Sequence, residues 1–384
     1  MCSVIGIDAT NIRSGGGVTH LIELLDAADP TSHGVSKIII WGNDGVLQRI
    51  HNRPWLKKIT PNLLNKSLPW RLFWQIFHFS NAAKAEGCTV LLVPGAFYAG
   101  GFKPIVSISQ NLLPFELREL RRYGISVGVI KMLLLRVTQS FCFRNSAGII
   151  FLTEYAKKIV LNITGSINGR VAIIPHGINP IFKKNPKKQF SISNYGDLKP
   201  YKLIYVSSID PYKHQWNVVE AVYQLRKEGF PLALDLIGPP VNANSIKKLN
   251  NAIVNFDPNK SWVKYSGFID YEILSESYKD ADLGIFASSC ENMPNILLEM
   301  MAAGLPIACS RMGPMPEIMG LSGVYFDPED PYDIAQKIKQ LIISENLRTQ
   351  ISNIFFELTN RFSWERCANE TLQFVVDISD KNVS

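Results

Sequence analysis

Residues 283–310 read LGIFASSCENMPNILLEMMAAGLPIACS, and they hold the clearest architectural signal in the chain. Residues 283–287 form an apolar run of the length of a buried strand. Pro294 suits the first position of a helix, Gly304 suits the residue just past its end, and Pro306 forbids continuation. A second strand-like run follows at 306–309. Strand, loop, helix and strand in this order make a βαβ unit with parallel strands. The loop 288–293 then aims the backbone N–H groups of the helix N-terminus at a ligand, as an anion site of the phosphate-binding kind.

Two carboxylates mark this unit. Glu291 stands at the mouth of the loop, and Glu299 sits inside an otherwise apolar helix with no basic residue within four positions. A buried carboxylate is costly unless paired or hydrogen-bonded. Two readings stay open from the residues alone. Glu299 pairs with a distant base, or it accepts hydrogen bonds from a ligand diol such as a ribose, whose diphosphate lies on the helix N-terminus.

Working outward, the same alternation fills the chain. Strands are expected at 4–7, 37–41, 89–93, 105–109, 148–151 and 171–174, and again at 203–207, 233–237, 262–265, 283–287, 306–309 and 323–326. Helical patterns lie between most of them. The polar stretch FKKNPKKQFSISNYGDLKP at 182–200 reads as a linker. At 384 residues, two domains are expected. The reading is an α/β chain with an N-terminal Rossmann-like, doubly wound domain at 1–185 and a second at 186–363. A last helix at 364–384 crosses back to the first domain. A ligand would bind at the carboxyl ends of the strands, in the cleft that the two domains face.

Charge is divided unevenly. Residues 1–180 carry 19 Lys+Arg against 9 Asp+Glu, and residues 181–384 carry 21 against 24. A basic N-terminal half suits an anionic membrane, a polyanionic acceptor or nucleic acid, or is a solvated surface that aids solubility. The segments LNKSLPWRLFWQIFHFSNAAK (64–84) and VIKMLLLRVTQSFCFR (129–144) mix apolar and basic residues. They read either as helices lying on a membrane surface or as core-facing helices with solvated basic residues. No apolar run reaches the roughly 18–20 residues that span a bilayer. The N-terminus, interrupted by Asp8, reads as a first strand and not as a signal peptide. The six cysteines (Cys2, Cys88, Cys142, Cys290, Cys309, Cys367) are scattered without a CxxC pair, which suits reduced thiols, a cytoplasmic setting and no zinc site. No nucleic-acid module is recognisable, so no nucleic-acid partner is expected.

Several motifs carry a resemblance in order along the chain: GGGVTHLIELL, VAIIPHGINPIF, YVSSIDPYKHQWNVVEAV, DLIGPP, VKYSGFIDYEILSESYKDADLGIFASS, the pair Glu291-x7-Glu299, MMAAGLPIACS, GPMPEIMG and FSWERCANETL. Together they resemble the retaining GT-B glycosyltransferases of family 4, including those of bacterial O-antigen and lipopolysaccharide assembly. The resemblance implies that the C-terminal half binds a nucleotide-sugar donor. Glu299 would hold the ribose hydroxyls, Glu291 the transferred sugar and Lys213 the diphosphate. Gly267 and Phe268 would border the base. Ser208, Asn292, Met293 and Asn295 would complete the donor set. From the N-terminal half, Gly16 and Gly17 would approach the phosphates or the acceptor, since glycine permits close backbone approach. The catalytic group is read as Glu291, Lys213 and Gln110. Asn111, His176 and Arg311 stand as further candidates, although His176 reads more simply as a turn histidine.

Three departures from the family pattern stand out. Glu291-Asn292-Met293-Pro294 replaces a common Glu-Gly-Phe-Gly, and the proline removes a donor. Ser208 holds the position of a common arginine. Gln110 and Asn111 follow the strand after which the family often has a histidine, and an amide cannot serve as a general base. Asp280-Ala-Asp282 resembles a metal-binding DxD, but it falls at a helix–strand junction, so neither metal nor cofactor is expected. GSINGRV at 165–171 lacks the context of a dinucleotide fingerprint.

The resulting expectation is a metal-independent hexosyltransferase, with mannose favoured. It would move the sugar from a nucleoside-diphosphate donor to a glycan acceptor, lipid-linked, at the cytoplasmic face of a membrane in O-antigen, lipopolysaccharide or capsule synthesis. A nucleotide-sugar epimerase or hydrolase, and a non-catalytic nucleotide-sugar-binding protein, are the alternatives.

Overall fold

The structure, a computed structural model, describes residues 3–13 and 15–381. Cys2 lies outside the described residues; the other five cysteines are buried free thiols. Contacts divide the chain into two units. The first takes the residues up to Leu120, Ile125–Gly177 and the segment from Phe362 onward; the second takes Arg121–Gly124 and Ile178–Arg361.

The first unit is built on seven strands: β1 (Ser3–Asp8), β2 (Val35–Trp41), β3 (Leu56–Ile59), β4 (Val90–Pro94), β5 (Ile105–Ile108), β6 (Gly148–Phe151) and β7 (Arg170–Ile173). They pair in the order β3-β2-β1-β4-β5-β6-β7, every pair parallel. The central strands are apolar on both faces, as helices on both sides of a parallel sheet require. β3 was missed by the sequence reading. Its sequence, Leu-Lys-Lys-Ile, is half exposed at the sheet edge, where lysines discourage further pairing and blur the apolar signal. Helix Trp364–Lys381 lies on this sheet: a Cβ on Gly148 would stand 2.8 Å from Phe374.

The second unit carries β8 (Tyr201–Val206), β9 (Leu232–Ile237), β10 (Val263–Tyr265), β11 (Leu283–Phe286), β12 (Ile307–Ser310) and β13 (Val324–Phe326). Their order is β10-β9-β8-β11-β12-β13, again all parallel. Helix Asn295–Ala302 buries Leu297, Leu298, Met300 and Met301, each contributing about 2 kcal/mol of apolar burial. Gly284 is required by this packing, because a Cβ there would stand 2.8 Å from the Met300 sulfur.

The polar stretch 182–200, expected as a linker, is instead fastened to the second unit. Lys187 and Tyr195 reach Asp282 at 3.1 and 3.2 Å. Fully buried Arg348 donates to Gln189 at 3.0 Å and to the Phe190 carbonyl at 2.5 Å. Polarity signalled exposure, but here the polar groups find buried partners that are distant in sequence. Asp282 also accepts the Lys202 N–H at 2.9 Å, so this carboxylate is engaged in holding the fold.

Candidate donor site and its surroundings

In the second unit the strand order reverses between β8 and β11, which lie side by side. Loops leaving the carboxyl ends of two such strands diverge and leave a crevice for a ligand. The loop after β8 ends in a short turn, Pro211–Lys213, before helix Gln215–Lys227. The loop after β11 carries Glu291 into helix Asn295–Ala302.

The two loops are stapled together. The Ser289 N–H donates to the Tyr212 carbonyl at 2.9 Å, and the Ser289 hydroxyl lies 2.9 Å from His214 Nε2. His214 is held in a left-handed conformation at φ 52°, which a non-glycine residue adopts only when its surroundings impose it. Tyr205 donates to the Lys213 carbonyl at 2.6 Å, and Gln215 donates to the Ser208 carbonyl at 2.8 Å. The backbone around Lys213 is therefore fixed from below by β8.

On this frame Lys213 forms a charge-assisted hydrogen bond with Glu291, both mostly buried. The Lys213 ammonium also stands 4.9 Å from the centre of the Tyr212 ring. Two groups 78 positions apart in sequence are thus brought together by adjacent strands. Asp210 accepts from Tyr123 at 2.8 Å, and burial holds its carboxyl above the usual range.

Glu299 lies one turn into its helix, with 7 % of its surface exposed. Its protein partner is the Tyr278 hydroxyl, at 3.4 Å, on helix Tyr271–Asp280. Burial pushes its carboxyl up to about 7, and the Tyr278 hydrogen bond offsets this only in part. No cation pairs with Glu299 among the described residues, so the structural ion pair weighed above is absent there. Pro294 departs from expectation: it occupies the N-cap, one residue before the helix, and its carbonyl accepts from Leu297 at 3.0 Å. Its missing N–H therefore lies outside the first helical turn. Gly267, at φ 67°, accepts from the Gly238 N–H at 2.7 Å, and Phe268 beside it is exposed. Arg311 is exposed and paired with Asp327 at 3.1 Å and Asp333 at 3.4 Å.

In the first unit, Gln110 and Gly17 come together: a Cβ on Gly17 would meet Gln110 Oε1 at 3.2 Å. Gly16 has open space around it. Gln110 Nε2 donates to His20 Nδ1 at 2.6 Å, and this turns Oε1 toward Gly17. Burial and the neighbouring His176 hold His20 well below the usual histidine range, so it is neutral. His176 stacks on His20 at 4.6 Å and lies 5.6 Å from the Trp364 ring. The Asn111 side chain accepts from Leu113 at 3.1 Å within its own turn.

Sequence reasoning missed His20, His214 and Tyr278, each of which acts through a partner far along the chain. It also missed Asp8 as a site group. Asp8 ends β1 beside the strand-order reversal of the first sheet, accepts from Gln75 at 2.5 Å and from the Thr10 N–H at 3.1 Å, and is pushed up to about 6 by burial.

Two parallel-sheet Rossmann-like units in tandem are the GT-B architecture, and solved structures of that class share it. Sucrose-phosphate synthase from Thermosynechococcus elongatus superposes with a TM-score of 0.72 at 17% identity, with 100% of each chain covered. HepE from Anabaena, solved with UDP and glucose, does so at 0.66 and 15%, with 100% of each chain covered.

The chain is related to the glycosyl transferases of group 1, whose family model matches residues 187–355. It is also related to bacterial O-antigen mannosyltransferases. O-antigen chain mannosyltransferase B of Escherichia coli is 29% identical over 113 residues, 29% of this chain and 30% of that protein. The serotype-specific mannosyltransferase WbdA of Escherichia coli is 22% identical over 240 residues, 62% of this chain and 28% of that protein. An uncharacterized glycosyltransferase of Methanocaldococcus jannaschii is 24% identical over 238 residues, 62% of this chain and 61% of that protein. The chain therefore spans less than two thirds of the length of these relatives.

Proposed function

We propose that the chain is a retaining glycosyltransferase that takes a hexosyl group, mannose by preference, from a nucleoside-diphosphate sugar. The acceptor is a glycan carried on a lipid at the cytoplasmic face of a membrane, in the assembly of a surface polysaccharide. The observation that carries this reading is Glu299. A carboxylate with no cationic partner among the described residues is kept buried at the strand-order reversal, next to the loops that bring Lys213 and Glu291 together. A ribose diol supplies two hydroxyl donors of the kind such a carboxylate lacks.

The chemistry follows from charge. When the bond between the sugar's anomeric carbon and the diphosphate breaks, its electron pair leaves with the phosphate. Lys213 and the N-terminus of helix Asn295–Ala302 stabilise that negative charge. Glu291, freed from Lys213 as the diphosphate takes its place, faces the positive charge developing on the sugar. The acceptor hydroxyl attacks on the face from which the phosphate departs and gives its proton to a phosphate oxygen. Gln110 needs no basicity in this scheme. No metal is required, and turnover is expected to survive chelation.

The test is a calorimetric and thermal-shift panel of GDP-, UDP-, ADP- and dTDP-sugars on wild type and Glu299→Ala. One base class should stabilise the wild type, and the substitution should abolish the effect. Donor cleavage at full rate without any acceptor would replace transfer by hydrolysis. An inverted anomer in the product would end the retaining mechanism.

A further inference from the structure

The first unit carries a helix whose hydropathy runs inside out. Helix Val127–Asn145 buries Gln139 and Ser140 beside Cys142 and Phe143, and nothing between Val127 and Thr138 is buried. Val127, Ile130, Leu134, Val137 and Phe141 are exposed, the last two at 67% and 62%. Spacings of three, four, three and four place them on one stripe, about 21 Å long at 1.5 Å per residue. The sequence left this segment open between a core-facing and a surface reading, and the exposed stripe rules out the first.

A second helix adds to the same side. Helix Leu68–Phe77 buries Trp74 and Gln75 and leaves Trp70, Phe73 and Phe77 exposed. The loop after β4 ties both helices to one place. Gln75 accepts the Ala99 N–H at 3.1 Å, and Gln139 donates to the Gly95 carbonyl at 2.8 Å.

Charge selects what covers this face. Helices Leu68–Phe77 and Val127–Asn145 carry Arg71, Lys131, Arg136 and Arg144 and no Asp or Glu, whereas Arg53, Lys57 and Arg122 in the flanking segments are already paired with Asp26, Glu86 and Glu329. Lys131 is exposed and flanks the stripe with Arg136, and neither pairs with a carboxylate among the described residues. A second copy docking by a two-fold axis would set this basic rim against itself. An anionic lipid surface satisfies both properties: apolar side chains enter the acyl boundary and Lys and Arg meet the headgroups. Exposed tryptophan and phenylalanine suit the same interface.

We propose that helices Leu68–Phe77 and Val127–Asn145 form a docking face for anionic membrane, with the stripe from Val127 to Phe141 inserted at the headgroup boundary. The inference rests on the lipid-linked acceptor reading for its purpose and specifies the surface that serves it. Among the described residues no helix is long and apolar enough to cross a membrane, so attachment is interfacial.

The experiment is co-sedimentation of the purified full chain with phosphatidylcholine vesicles, with and without phosphatidylglycerol, at low and physiological salt. Wild type should bind the anionic vesicles and keep much of that binding at physiological salt. The variant Val137→Glu/Phe141→Glu alters exposed positions only. It should keep the wild-type melting temperature and lose at least about tenfold in vesicle affinity. Lys131→Glu/Arg136→Glu should weaken binding and flatten its salt dependence. Wild type that fails to sediment at physiological salt overturns the proposal, as does a Val137→Glu/Phe141→Glu variant that sediments like wild type. A wild-type dimer in solution that the same variant turns into a monomer assigns the face to a second copy and also overturns it. Sedimentation is read without donor or acceptor, so its failure leaves sugar transfer standing, and failure of the donor panel leaves this face standing.

Discussion

Replacing Glu299 by glutamine should make the protein more stable at pH 8 while weakening its hold on nucleotide. In the folded chain burial raises the Glu299 carboxyl from 4.5 to about 7. A folded-state pKa above the unfolded one means that the folded protein holds the proton more tightly. The contribution of Glu299 to stability is therefore greatest below about pH 4.5 and is lost as pH rises toward and through about 7. Above that, the buried charge costs on the order of 3 kcal/mol. Glutamine removes the charge and keeps an oxygen for the Tyr278 hydroxyl. The Gln variant should thus melt several degrees above wild type at pH 8, and the difference should shrink to about a quarter by pH 5 and vanish only below about pH 4.

Ligand binding should show the opposite trend. If the ionised carboxylate accepts from the ribose, wild-type nucleotide affinity should fall about tenfold from pH 8 to pH 6, as the ionised fraction drops from about 0.9 to about 0.1. The Gln variant should bind weakly with no such slope. Differential scanning fluorimetry across pH 5–8 and calorimetry with the matching nucleoside diphosphate read both effects. A Gln variant less stable than wild type at pH 8, or a flat wild-type affinity between pH 6 and 8, would refute the reasoning.

Three further outcomes are expected. Lys213→Ala strands a mostly buried Glu291, so the chain should lose about 3 kcal/mol and its diphosphate affinity together, measured by denaturant melts and calorimetry. His20 is held well below 6.5 by burial, so unfolded chains take up its proton first. Stability should fall as pH drops below about 6.5, and His20→Gln should flatten that limb of the melting profile. Gly238→Ala would place a Cβ 2.0 Å from the Ser207 carbonyl at φ 143° and should cost about 3 kcal/mol or more, whereas Gly16→Ala meets open space and should leave the melting temperature unchanged.

Much of the fold was legible because parallel sheets covered on both faces write their strands as plain apolar runs. All twelve strands other than β3 sit within a residue or two of their expected places. β3 escaped because two of its four residues are lysines. Helix Asn295–Ala302 was legible from its flanking Pro294 and Gly304, and Glu299 stood out because a carboxylate in an apolar helix demands a partner. Its partner was not legible, since Tyr278 lies 21 positions away on another helix.

The alternation of strands and helices, the second core unit and the anomalous carboxylates could be read from the residues alone, because those are local properties of pattern and composition. Which distant groups meet was set by the packed three-dimensional fold. It set Lys213 on Glu291 and His20 on Gln110, because adjacent parallel strands and crossing helices bring together residues that no local spacing relates. It also decided which apolar helices face inward. The stripe from Val127 to Phe141 has the spacing of a core helix, and periodicity reports that a helix has an apolar face without reporting what covers it.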